Sequence, residues 1–125
     1  MSQRPARYPG RAPIDAYGNG GFRFAGMSHR GSILCLQSGI YAWSPAEAGA
    51  IGLADLAPVL AEKEAGSVLL LGTGARQCMP GADIRSALLE AGVALEAMDT
   101  GAACRTYNVL LAEGRPAAAA LIAVD

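Results

Sequence analysis

The chain has 125 residues, of which 52% are hydrophobic and 17% are charged, and its formal net charge is −1. This composition excludes an intrinsically disordered chain and gives no electrostatic case for a nucleic-acid partner. A single domain of this size folds without a disulfide or metal staple. Three widely spaced cysteines and one histidine predict no metal site, no cofactor and a reducing, cytoplasmic setting.

The first 13 residues combine three arginines with three prolines and contain no acidic side chain. They lack the apolar stretch of a secretory signal, and the prolines disfavour a helix. We therefore predict a flexible tail at residues 1–13 and a single α/β domain at residues 14–125. No apolar run is long enough to span a bilayer.

The first third of the domain alternates short apolar runs with glycine-rich turns. We predict strands at 22–24, 32–37 and 40–43, and turns at 18–21 and 26–31. The pattern is typical of antiparallel β-structure. We assign the aromatic side chains of Phe22, Tyr41 and Trp43 to the core, with an aromatic face for a partner as the alternative.

Helical and strand patterns alternate through the rest of the chain. We predict helices at 56–65, at 83–91 and from Asp99 or Thr100 to Gly114, and strands at 67–71, 93–98 and 117–124. Pro58 fits the first helix if Asp55 is its N-cap, because the third helical position donates no intrahelical N–H. This alternation predicts an α/β fold in three layers, with a mixed central β-sheet flanked by helices and a β-rich N-terminal part.

The most site-like feature is the loop Gly72-Thr73-Gly74, which follows the apolar run 67–71. Ligands of open α/β sheets bind beyond the carboxyl ends of strands, and glycine N–H groups can approach an anion closely. Arg76 and Gln77 would add side-chain donors. The loop departs from a dinucleotide fingerprint, because Gln77 replaces the third glycine and Pro80-Gly81 separates the loop from the helix. A tight turn that requires glycine is the simpler interpretation.

Asp99 and Thr100 follow the next predicted strand and form a second candidate site. The Asp99 carboxylate could act as a general base or bind a ribose, whereas an N-cap accounts for the same residue types. We expect Thr73 and Thr100 to share one edge of the sheet. We assign no catalytic residue, and the hypothetical ligand-binding residues are Gly72, Thr73, Gly74, Arg76, Gln77, Asp99 and Thr100.

Three further residues have both a functional and a structural interpretation. Cys104, in the first turn of a predicted helix, could be a reactive thiolate, but a buried apolar cysteine is favoured because no histidine is near it in sequence. Asn108 is a poor interior helix residue, and we assign its side chain a hydrogen bond to a neighbouring loop. His29, between turn glycines, is expected to be exposed and inert.

Several motifs occur in a fixed order along the chain. They are Tyr17-Gly18-x-Gly20-Gly21-Phe22-Arg23-Phe24, Gly31-Ser32-Ile33-Leu34, Gly39-Ile40-Tyr41-Ala42-Trp43, Leu71-Gly72-Thr73-Gly74, Met98-Asp99-Thr100, Ala103-Cys104-Arg105-Thr106-Tyr107-Asn108-Val109-Leu110 and Glu113-Gly114-Arg115. Over residues 14–125 the chain resembles the family of small domains of unknown function that includes the mitochondrial respiratory complex I assembly factor 3 and an adipogenesis-associated protein. The resemblance implies a compact α/β domain with a mixed sheet, no established catalytic residues and, in mitochondrial members, assembly of a membrane complex through protein contacts.

Two functional hypotheses follow. The first is a non-catalytic interaction or assembly protein, in a bacterial cytoplasm, whose partner is a protein such as a respiratory complex subunit. The second is a small-molecule or anion-binding protein or enzyme that uses the Gly72-Thr73-Gly74 loop, with Arg76 holding the anion. Both hypotheses use the same surface, because binding sites favour loops on a rigid scaffold. The oligomeric state is left open.

Overall fold

The computed structural model describes residues 6–64 and 67–125. Within these residues, eight β-strands, three α-helices and two short 3₁₀ turns make up the regular structure. In chain order they are β1 (Ile14–Gly18), β2 (Gly21–Phe24), β3 (Met27–Arg30), β4 (Ile33–Leu36), β5 (Gly39–Ala42), the 3₁₀ turns Ala48–Ala50 and Leu53–Leu56, α1 (Ala57–Ala61), β6 (Val68–Gly72), α2 (Ala82–Glu90), β7 (Ala94–Met98), α3 (Thr100–Ala112) and β8 (Ala117–Leu121).

Strands β1, β2 and β3 form an antiparallel three-stranded sheet. Two-residue turns join them, at Asn19-Gly20 and at Ala25-Gly26, and all four turn residues have positive φ. This is the geometry of type I′ turns, whose twist matches that of the strands they connect. The prediction of one turn over 26–31 is therefore wrong, because the chain reverses at Ala25-Gly26 and then pairs with β2 as β3.

The central sheet has five strands in the order β5-β4-β8-β6-β7. Strand β6 runs parallel to β7 and β8, whereas β4 runs antiparallel to β5 and β8. Helices cover the sheet on both faces, so the predicted α/β fold with a mixed central sheet is confirmed.

The side chains of β6 divide the core into two layers. Leu69 and Leu71 are buried on one face of the sheet, in the layer that contains Leu88 of α2. Leu70 is buried on the opposite face, in the layer that contains Tyr107 of α3 and the inner face of the three-stranded sheet. A strand covered on both faces needs apolar residues at consecutive positions, which is why the run around β6 does not alternate.

Helix α1 is shorter than the sequence predicts. It begins at Ala57, and Pro58 occupies its first turn, where no intrahelical N–H is needed. Asp55 does not cap this helix; its carboxylate accepts a hydrogen bond of 2.8 Å from the N–H of Gly52, at the start of the preceding 3₁₀ turn. The helix ends at Ala61, and residues 65 and 66, which include the predicted end, lie outside the described residues.

Part of the N-terminal segment pairs with the edge of the central sheet. The N–H groups of Arg7 and Tyr8 donate to the carbonyl of Ile40 at 2.7 and 3.3 Å, and the N–H of Ile40 donates to the carbonyl of Tyr8 at 2.9 Å. These bonds extend the sheet beyond β5. Residues 1–5 of the predicted tail lie outside the described residues.

Candidate functional site

The carboxyl ends of β6 and β8 meet at the point where the chain reverses direction across the sheet. From β6 the chain passes through α2 to β7 on one side, and from β7 it returns through α3, on the other face, to β8. In open α/β sheets this switch point is the usual location of a ligand or partner. Gly72 ends β6 there, so the predicted loop lies at the edge that the fold favours for binding.

Thr73 organises the loop that follows β6. Its N–H donates to the carbonyl of Met98 at 2.8 Å, which joins the loop to the end of β7. Its hydroxyl lies 2.6 Å from the Arg76 carbonyl and accepts the N–H of Cys78 at 3.1 Å. The hydroxyl is thus used inside the loop, which it holds in a tight turn.

Thr100 joins three chain segments at the switch point. Its hydroxyl accepts the N–H of Gly74 at 3.0 Å and donates to the carbonyl of Ile122 at 2.7 Å. Its own N–H donates to the Gly74 carbonyl at 2.8 Å, and the residue is completely buried. The prediction that Thr73 and Thr100 share one edge of the sheet is confirmed.

Asp99 is the N-cap of α3. Its carboxylate accepts the N–H of Ala102 at 2.9 Å, which satisfies one of the free donors at the start of the helix. A carboxylate at this position also interacts favourably with the helix dipole. The N-cap interpretation of Asp99 is therefore correct.

The remaining predicted residues diverge from the switch point. The Gln77 side chain donates to the carbonyl of Ala97 at 3.0 Å, along the free edge of β7. Arg76 is exposed and is not among the residues that line the groove described next. The loop thus brings Thr73, Gly74 and Thr100 together but directs Arg76 and Gln77 elsewhere.

An open groove of 640 Å³ lies at the switch point. The residues lining this switch-point groove include Tyr17, Glu47, Gly74, Ala75, Asp99 and Asp125. Three of them are acidic, and no arginine or lysine of the described chain is among the lining residues, although a guanidinium nitrogen of Arg105 lies 3.4 Å from where a Cβ of the lining residue Gly101 would be. Its charge therefore favours a cationic group over an anion.

Sequence reasoning missed four of these six residues, which are Tyr17, Glu47, Ala75 and Asp125. Tyr17, at the end of β1, lies against Gly101, where any side chain would collide with the tyrosine hydroxyl. Glu47 comes from the segment after β5. Neither residue is near the loop in sequence, so the only available signal was the placement of β1, which the sequence pattern did not reveal.

The other candidate residues have structural roles or no organised partner. Burial raises the pKa of Cys104 to about 12, so its thiol is not an activated nucleophile at neutral pH. Burial, helped by the nearby Arg7 charge, lowers the pKa of His29, which lies in β3 and not in a turn. Asn108 bonds to the strand β1, where we had predicted a loop. No group of three or more potential metal ligands occurs among residues 6–64 and 67–125.

The aromatic side chains assigned to the core are largely buried. Phe22 is 3% exposed and Trp43 is 7% exposed. The indole N–H of Trp43 donates to the carbonyl of Asp55 at 2.9 Å, so the polar end of the ring is satisfied. In the part of the chain that the structure describes, no helix is both long and apolar enough to cross a membrane.

Comparison with known proteins places this chain among small domains of the same fold. It is 38% identical over 122 residues to an uncharacterized protein of Rhodobacter capsulatus, which covers 98% of this chain and 93% of that protein. It is 36% identical to the NADH dehydrogenase (ubiquinone) 1 alpha subcomplex assembly factor 3 of Danio rerio, over 87% of this chain but only 63% of that protein's length.

A solved structure and a family model agree with these similarities. This chain is 51% identical in sequence to a Bartonella henselae protein described as an outer membrane protein, whose crystal structure is known. The two structures match with a TM-score of 0.91, over 95% of this chain and all of that one. Residues 14–122 match the model described as "Protein of unknown function (DUF498/DUF598)". The resemblance found in the sequence is thus confirmed, and the chain belongs to the DUF498/DUF598 family.

Proposed function

We propose that this chain is a non-catalytic protein-interaction factor that takes part in the assembly of a respiratory NADH dehydrogenase. The proposal rests first on the vertebrate relatives that are named as assembly factors of this enzyme, including those of Danio rerio and Homo sapiens. The similarity to these relatives extends over 87% of the chain, and the family model matches residues 14–122, which include both sheets and the switch point.

The chemistry of the switch point supports binding without catalysis. The hydroxyls of Thr73 and Thr100 are used in hydrogen bonds to the backbone, and the Asp99 carboxylate caps a helix. A general base needs a partner proton within reach and a pKa matched to its task. These side chains hold the loop in place, which leaves a rigid surface on which a partner can dock.

The observation that carries the proposal is the switch-point groove itself. It combines an exposed aromatic residue, Tyr17, with the short side chain of Ala75 and the carboxylates of Glu47 and Asp99. Aromatic side chains are over-represented at protein interfaces, and carboxylates at the rim select a basic partner surface. The occupant we propose is a basic segment of a subunit or of a second assembly factor.

The test uses cells of the source organism that lack the gene. Native electrophoresis of their membranes measures how much NADH dehydrogenase is assembled. We expect the assembled complex to be lost and to return with the wild-type chain. Ala75→Arg, which fills the groove with a bulky cation, should fail to restore assembly although the protein remains folded. Ala112→Arg, at an exposed position at the end of α3, is the matched control and should restore it. Normal assembly in the deletion strain would refute the proposal.

A cytoplasmic location is part of the same proposal. Its support is that Cys35, Cys78 and Cys104 are all free thiols, which is typical of a reducing compartment. Fractionation of the source cells tests it, and recovery of the chain with a protein of an oxidising compartment would contradict it.

The alternative, a small anion held by Arg76, remains a prediction with its own test. The carboxylates of the switch-point groove and the position of Arg76 outside it count against this alternative. It predicts that anionic metabolites raise the melting temperature and that Arg76→Ala removes the shift. If a broad set of such metabolites leaves the melting temperature unchanged, the alternative fails.

A further inference from the structure

The outer face of the three-stranded sheet presents two arginines side by side. Phe22 is buried beneath this sheet, and because side chains alternate along a strand, the adjacent Arg23 points outward and is exposed. Strand β3 pairs with β2 so that Ser28 lies opposite Arg23 and Arg30 lies opposite Gly21. The side chains of Arg23, Ser28 and Arg30 therefore project from the same surface, which we call the arginine face.

The two guanidinium groups can reach a common point. Arg23 and Arg30 are diagonal neighbours across β2 and β3, and such positions are about 7–8 Å apart, within reach of long side chains. The surface between them is an open depression of 390 Å³ with the small residues Ala16 and Gly18 in its lining. One guanidinium nitrogen of Arg30 lies 3.6 Å from where a Cβ of Gly20 would be, so this side chain lies over the β1–β2 turn and must rotate toward Arg23 for both guanidinium groups to hold one ligand.

The positive charge of the arginine face is not neutralised within the described chain. The ion pair found among residues 6–64 and 67–125 joins Arg115 to Glu113, and neither Arg23 nor Arg30 has a carboxylate oxygen within 4.0 Å. Asp15 is exposed and close in sequence, but it is not within ion-pair distance of either arginine. No acidic residue lines the depression. Two neighbouring cations repel each other, and a bound dianion would remove that repulsion.

We propose that the arginine face is a binding site for a phosphate group, held by the guanidinium groups of Arg23 and Arg30. The Ser28 hydroxyl and the Asn19 amide, which also line the depression, supply further donors. The planar guanidinium matches two phosphate oxygens at once, and donors arriving from two strands suit a tetrahedral anion.

The phosphate can belong to a soluble phosphorylated molecule or to the headgroup of an anionic lipid. Both present the same oxygens to the arginines. The depression adjoins the switch-point groove, because Tyr17 lines both, but Arg23 and Arg30 line only the depression. The proposed site stands whether or not the chain assembles a respiratory complex.

The first arm of the test is an NMR titration of the ¹⁵N-labelled chain with inorganic phosphate and with pyrophosphate, at constant ionic strength. We expect saturable shifts of amides in residues 16–30. Arg23→Gln/Arg30→Gln should weaken binding at least about tenfold, because it removes the charge-assisted hydrogen bonds. Arg85→Gln is the matched control: Arg85 is exposed on α2, across the central sheet, and its loss should change nothing. The spectrum of each variant reports its folding.

The second arm measures sedimentation with vesicles of phosphatidylglycerol and phosphatidylcholine, and with phosphatidylcholine alone. Binding to the anionic vesicles that depends on Arg23 and Arg30, without saturable binding of soluble phosphate, supports the site with a lipid as the source. Saturable binding of soluble phosphate with the same dependence supports a soluble ligand. The proposal is overturned if neither probe binds, or if the double variant binds as well as wild type. A hexaglutamate peptide is titrated in the same NMR experiment, and the proposal is also overturned if this peptide is the only probe that shifts the amide signals of residues 16–30.

Discussion

The side-chain amide of Asn108, in the middle of α3, forms two hydrogen bonds with the backbone of Ile14, at the start of β1. Its carbonyl oxygen accepts the Ile14 N–H at 2.8 Å, and its NH₂ group donates to the Ile14 carbonyl at 2.9 Å. The amide therefore satisfies the same two groups that a neighbouring strand would satisfy. It joins the three-stranded sheet to the helix that leads from the switch point.

We predict that Asn108→Ala lowers the free energy of unfolding by about 1–2 kcal/mol, because both Ile14 groups lose their partner while alanine recovers some helix propensity. Chemical denaturation measures the loss, and hydrogen exchange should show faster exchange of the Ile14 amide. Val109→Ala, at a side chain that is 56% exposed, is the control and should change stability by less than about 0.5 kcal/mol. An unchanged stability with a protected Ile14 amide would contradict the assigned role.

Thr100 provides a sharper test of how the switch point is held together. Thr100→Val keeps the shape of the side chain but leaves the Gly74 N–H and the buried Ile122 carbonyl without this partner. We expect it to cost about 2–4 kcal/mol of stability, because each unsatisfied buried group costs about 1–3 kcal/mol.

The matched variant is Thr100→Ser, which keeps the hydroxyl and removes one methyl group, at an expected cost of about 1 kcal/mol. Thermal and chemical denaturation of both proteins give the order of stability. If serine is more harmful than valine, methyl packing and not hydrogen bonding dominates at this position.

Much of the fold could be predicted because the segment from β6 to β8 has strong local patterns. Strands such as Val68–Gly72 are continuously apolar, and helix ends coincide with residues such as Asp99 that favour caps. Strands β1 and β3 escaped prediction because they are short and carry polar residues, and their register comes from pairing with β2. Ala25 adds to the difficulty, since alanine rarely occupies the left-handed φ of 51° that its turn requires.

The site was only partly predictable for a different reason. The loop Gly72-Thr73-Gly74 was found from its glycines, but the bonds that fix it join residues far apart in sequence, such as Gly74 to Thr100. The acidic character of the groove depends on Glu47, which comes from another part of the chain. Local sequence patterns carry no information on such contacts.

Gly72 offers a test of close packing between β6 and α3. A Cβ at this position would lie 3.0 Å from the Thr100 Cα and 3.1 Å from its hydroxyl oxygen. The Thr100 backbone begins a helix and cannot easily move, so Gly72→Ala should cost about 1–3 kcal/mol, the usual range for overpacking.

The control is Gly49→Ala, whose Cβ would meet no atom closer than 3.8 Å and whose backbone is not in the left-handed region. It should leave stability unchanged or raise it by up to about 1 kcal/mol, because alanine restricts the unfolded chain. Equal stabilities of the two variants, measured by denaturation, would show that the sheet edge tolerates a side chain at position 72.

The stability of the chain should fall at alkaline pH because three buried groups resist ionisation. Burial raises the pKa of Cys104 from 9.0 to about 12 and that of Tyr107 from 10.0 to about 12, and it also raises that of Cys35. In the unfolded chain these groups lose protons at lower pH than in the fold. Their contribution is therefore complete below about pH 9 and is lost as the pH rises toward the folded pKa values.

Denaturation at a series of pH values measures this dependence. Between about pH 9.5 and 11 each such group contributes a fall of up to about 1.4 kcal/mol per pH unit. Cys104→Ala should lower stability at pH 7, through lost packing, but its curve should fall less steeply above pH 9 because one titrating group is gone. Val109→Ala, at an exposed side chain that does not titrate, should keep the wild-type slope. Parallel curves for Cys104→Ala and wild type would mean that Cys104 ionises as readily in the fold as in the unfolded chain.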